Sequence, residues 1–123
     1  MNLDAFSTPQ VDSLLELLVL GMYVDGHLAD AEDRIIKEFA REAGIQPGYN
    51  FDQAIDRAVS SVRQVDLNDN SLRGAVSRIA QVIDEPDIRQ TAFEALTAIH
   101  TSDADDSPAE TKFHKIVVDI FDL

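Results

Sequence analysis

Apolar residues recur at helical spacing in every long segment of this chain, and strand-like alternation is scarce. The stretch from about 9 to 24 is apolar on nearly every side, with Leu14, Leu15, Leu17, Leu18, Val19, Leu20 and Met22. A helix apolar all round sits at the centre of a bundle. Thr8-Pro9 predicts its start, an N-cap followed by proline at the first helical position. A second helix is expected over 30–43, with Ile35, Ile36, Phe39, Ala40 and Ala43 inward and Gly44 as its C-cap. A turn at 46–50 places Asn50 as the cap of a third helix, which carries Phe51, Ile55, Ala58 and Val62 on one face.

The segment Asp66 to Ser71 reads as a polar loop. Beyond it, Leu72, Ala75, Val76, Ile79 and Ile83 share the face of a fourth helix, which Asp84-Glu85-Pro86 ends. A fifth helix presents Ile88, Ala92, Phe93, Leu96 and Ile99. Ser107-Pro108-Ala109-Glu110 is a capping box with proline at the first helical position, opening a last helix with Phe113, Ile116, Val117, Ile120 and Phe121. The pattern predicts an all-α fold of six helices, or seven if 66–71 forms a turn of its own. Short connections imply that consecutive helices pack nearly antiparallel. With no linker or low-complexity stretch, residues 1–123 are expected to form one domain.

Composition narrows the function. Hydrophobic residues make up 45% of the chain, enough for a packed core. With 23 acidic residues against 10 basic ones, the formal charge is −13. A body this acidic repels nucleic-acid phosphates and anionic membrane surfaces, and it attracts cations and basic protein surfaces. The absence of cysteine excludes disulfides, zinc–thiolate sites and thiol nucleophiles. The first ten residues lack the basic and apolar parts of a secretory signal, so a cytoplasmic location is the expectation. No segment is long and apolar enough to read as a membrane span.

An offset of 78 residues aligns the first predicted helix pair with the last. Leu15 falls on Phe93, Glu16 on Glu94, Leu18 on Leu96 and Asp25 on Asp103. Ala31-Glu32 falls on Ala109-Glu110, and Lys37 on Lys115. Each copy is an apolar helix, an Asp in the turn, and a Glu seven residues later. The spacing favours a duplicated hairpin arranged about a pseudo-twofold axis.

At these residues the chain resembles the TerB-like family of tellurite-resistance domains. The resemblance rests on Val24-Asp25-Gly26-His27-Leu28 with Ala31-Glu32, and on Ser102-Asp103-Ala104-Asp105-Asp106 with Ser107-Pro108-Ala109-Glu110. It covers essentially the whole chain. The second copy departs from the pattern, since Ala104 stands where Gly is expected. The resemblance implies a helical bundle whose acids bind a divalent metal. It also implies a stress-response or tellurite-resistance role as a partner-binding module.

Asp25, Glu32, Asp103 and Glu110 are therefore the candidate metal ligands, with His27 as a candidate nitrogen donor. Four carboxylates with backbone carbonyls suit a hard cation such as Ca²⁺, Mg²⁺ or Mn²⁺. The competing reading is that these acids cap helices and stabilise turns, in a plain interaction or homodimerisation bundle. The acidic loops at 66–71 and 102–106 fail the EF-hand pattern, because Ser71 and Pro108 fall where its glycine is required. No phosphate-binding glycine loop or nucleophile elbow is present, so a non-enzymatic protein is expected. Arg57, Arg63, Arg73, Arg78 and Arg89 lie in the middle third, which fits either ordinary solvated helix faces or one basic face set apart from the acidic turns.

Overall fold

The computed structural model describes residues 6–25, 49–101 and 108–123. These residues form five α-helices and no strand: α1 (Thr8–Asp25), α2 (Tyr49–Arg63), α3 (Asp69–Val82), α4 (Pro86–Thr101) and α5 (Pro108–Phe121). The all-α expectation stands, but the described helices number five rather than six or seven. The helix expected over 30–43, with its Gly44 cap, lies outside the described residues. The region 66–71 does not form a separate turn of helix. Asn68 instead caps α3, its side-chain oxygen accepting from the Ser71 N–H at 2.8 Å, so Asp69 to Ser71 are the first turn of α3.

The start of α1 is set one residue earlier than Thr8-Pro9 suggests. Ser7 is the cap: its hydroxyl oxygen accepts from the Gln10 N–H at 3.3 Å, and the Gln10 side-chain oxygen accepts from the Ser7 N–H at 2.9 Å. This reciprocal pair is a capping box, legible in the sequence as Ser7-x-x-Gln10. Asn50 likewise lies inside α2, which begins at Tyr49.

α1 is the axis of the bundle and touches each of the other four described helices. Leu14, Leu15, Leu17, Leu18, Val19, Leu20 and Met22 are all buried, as all-round apolarity predicts, and only Asp12 of its central turns is exposed. The other helices are one-sided. α3 buries Leu72, Ala75, Val76, Ile79 and Ala80, with Ile83 just beyond its end. α5 buries Phe113, Ile116, Val117 and Phe121. These side chains and those of α1 belong to one continuous core.

Polar contacts fix helix directions. Asp12 meets Arg57 and Glu16 meets Ser61, so contacts advance together along α1 and α2 and the two run the same way. Gln10 bonds the Val82 carbonyl, whereas Val24 and Leu72 line one cleft, so α1 runs opposite to α3. Lys112 meets Asp69 and Arg73 meets Asp119, which makes α3 and α5 parallel. Arg89 reaches the Phe121 carbonyl and Phe93 packs edge-on against His114, so α4 and α5 are antiparallel, as the short-connection rule predicts. The bundle therefore has two distinct ends. One gathers the C-termini of α3 and α5. The other gathers their N-termini and the C-terminus of α1.

Candidate functional site

Carboxylates at helix starts are favoured by the helix dipole and by unpaired N–H groups. Glu110 is such an acid, the third residue of α5, where a capping box places its Glu. It is also buried, at 3% exposure. Acids are almost never buried this deeply outside caps, ion pairs and metal sites. Asp25 is the last residue of α1, which agrees with an apolar helix ending at an Asp turn. Only the backbone of Asp25 is described. His27, Glu32 and Asp103 lie outside the described residues.

The structure does bring the neighbours of two candidates together. Val24 and Ala109, which immediately precede Asp25 and Glu110, line the same cleft. The end of α1 and the start of α5 thus adjoin. Among the described residues no group of three or more Asp, Glu or His side chains is arranged to hold a metal ion.

Three of the five arginines of the middle third are engaged with partners of their own. Arg57 lies 3.9 Å from Asp12, and Arg73 lies 3.5 Å from Asp119. Both pairs are largely exposed, where such bridges contribute about 0–1 kcal/mol. Arg89 turns inward. Its Nε donates to the Ile83 carbonyl at 2.7 Å, Nη2 to Ala80 at 2.8 Å and Nη1 to Phe121 at 3.4 Å. The guanidinium also sits 5.7 Å from the Phe121 ring centre. One planar fork thereby satisfies end carbonyls of α3 and α5, a task Lys cannot match in geometry.

The cleft shared by Val24 and Ala109 was not legible in the chain. Its volume is about 310 Å³, and Leu67, Leu72 and Phe113 line it with the Asp69–Lys112 pair. The one available signal was Leu67, a lone apolar residue inside the polar run Asp66 to Ser71. No helix among the described residues is long and apolar enough to cross a membrane. Comparison of the chain with family models, with curated proteins and with solved structures returns no match.

Proposed function

We propose that this chain is a non-enzymatic, TerB-like stress-response module that binds a protein partner and holds a divalent cation at its acidic turns. In this reading Asp25, Glu32, Asp103 and Glu110 supply oxygen ligands to Ca²⁺, Mg²⁺ or Mn²⁺, and His27 stands beside them. The observation that carries the reading is the meeting of the α1 end with the α5 start at Val24 and Ala109, next to a buried Glu110. That meeting is what a paired arrangement of the two acidic turns requires. The starts of α1 and α4, at residues 8 and 86, repeat the 78-residue offset of the motif, which supports the duplicated hairpin.

The second reading is a plain interaction or dimerisation bundle in which the acids only cap. It is favoured by the position of Glu110 as third residue of α5. Unfolding with and without millimolar divalent cation separates the two, with monovalent salt at equal ionic strength as control. A cation at 100 times its dissociation constant adds about 2.7 kcal/mol if it binds the folded state alone. Asp25→Asn with Asp103→Asn should abolish that increment. A divalent effect no larger than the matched-salt control would rule out the cation site and leave the interaction bundle.

A further inference from the structure

The cleft at the N-terminal end of α3 and α5 has the construction of a docking groove. Leu72 and Phe113 are buried at its floor, and Val24 and Ala109 are half-buried beside them. Leu67 stands at its edge, 57% exposed. Leu67 and Leu123 are the large apolar side chains left exposed among the described residues, and only Leu67 lines a cleft of this kind. The rim is acidic. Asp66 and Asp69 flank the exposed Leu67 along the chain and are exposed themselves. Lys112 Nζ lies 2.8 Å from Asp69 Oδ1, with the two side chains 61% and 53% exposed.

We propose that this groove docks a basic amphipathic helix of a partner protein. An apolar side chain of that helix packs on Leu67 and the cleft floor, and its Lys or Arg residues meet Asp66 and Asp69. Helix-in-groove recognition of this kind anchors one apolar face and leaves charge to set partner choice. An ion pair as exposed as Asp69–Lys112 contributes little, so an incoming cation displaces Lys112 readily. The net charge of −13 steers a basic segment toward the chain and repels an acidic one. The inference rests on the reading of the chain as a partner-binding module, and it does not involve the cation.

The test uses the full chain in EDTA-containing buffer and three fluorescent peptides of about five helical turns. One is an amphipathic Leu/Lys helix, one carries Glu in place of Lys, and one carries Ser in place of Leu. Saturable binding is expected for the Leu/Lys peptide alone. Leu67→Ser should weaken it roughly tenfold, the scale of one buried leucine side chain. Lys112→Ala should tighten it roughly two- to fivefold by freeing Asp69. Leu123→Ser, at the far end of α5, should leave it unchanged. Circular dichroism confirms that each variant is folded. Absence of Leu/Lys binding, equal binding of the Ser/Lys peptide, no effect of Leu67→Ser, or weaker binding by Lys112→Ala would each overturn the groove. Because EDTA is present throughout, a failure here leaves the metal-dependent unfolding test standing, and a failure there leaves the groove standing.

Discussion

The two ends of the bundle solve the same problem in opposite ways. Helix ends leave backbone groups that the helix itself cannot pair. At the end where α3 and α5 finish, long side chains reach across the fold to those groups. Arg89 serves the carbonyls of Ala80, Ile83 and Phe121, and Gln10 serves Val82. These donors come from α1 and α4, so each bond also ties one helix to another. At the other end two contacts are exposed, one within a helix and one between helices. Asn68 caps its own helix through Ser71, and Asp69 meets Lys112 in water. That end keeps an exposed leucine beside a cleft. The contrast leads us to expect stronger exchange protection at the Arg89 end than at the Leu67 end.

The largest expected effect lies between the two ends and calibrates both. Leu18 is fully buried in α1, the helix that the other four described helices touch. Leu18→Ala should cost about 2–5 kcal/mol and raise amide exchange at both ends alike. An unchanged denaturation midpoint would remove α1 as the axis. Arg89→Met should come next. It keeps the apolar stem but deletes the donors, leaving carbonyls that gained from a charged partner. The expected loss is about 2 kcal/mol, since bonds to charged groups are worth roughly 1.5–3 kcal/mol each and this site is half-buried. Exchange should rise first in the last turns of α3 and α5. Arg89→Lys should not restore stability, because an ammonium cannot serve three directions in one plane. Stability within about 0.5 kcal/mol of the parent for Arg89→Met would mean that this end is not locked.

Local pattern made the core legible and hid the ties between helices. All-round apolarity placed α1 at the centre, and period 3.6 named every buried residue of the α3 stripe except Ala80. Both are properties of neighbouring residues. Cap positions were readable but misassigned. Ser7-x-x-Gln10 fits the capping-box pattern as well as Thr8-Pro9 fits its own, and Asn68 precedes its helix as a cap should. The role of Arg89 was not readable, because its acceptors belong to helix ends on both sides of it in sequence. Counted as surface charge, it looked like part of a basic face. The Asp69–Lys112 contact was hidden for a related reason. It depends on α3 and α5 lying parallel, and short connections constrain only consecutive helices. Of the metal candidates, the sequence located Glu110 at the start of α5 and put Asp25 in the turn after the first helix, where the structure makes it the last residue of α1; spacing alone carries no burial, and the depth of Glu110 is a tertiary fact.

The smallest expected effect is the sharpest test of the contrast between the ends. At 2.8 Å the Asp69–Lys112 pair is shorter than the other surface pairs among the described residues and invites the conclusion that it too is a lock. Exposure argues otherwise. More than half of each side chain faces water, where Coulomb attraction is weak and two flexible chains lose freedom to meet. Helix position separates the partners further. Asp69 stands in the first turn of α3, where an anion is favoured, so Asp69→Asn should cost about 0.3–1 kcal/mol whatever Lys112 does. Lys112 stands near the start of α5, where a cation gains nothing from the dipole, so Lys112→Ala should be close to neutral. The double-mutant cycle should give a coupling of about 0.5 kcal/mol, falling as salt is raised. A coupling above about 1.5 kcal/mol that resists salt would make this end as firmly tied as the Arg89 end. Lys112 would then hold Asp69 too well to be displaced, and the groove would lose its acidic contact.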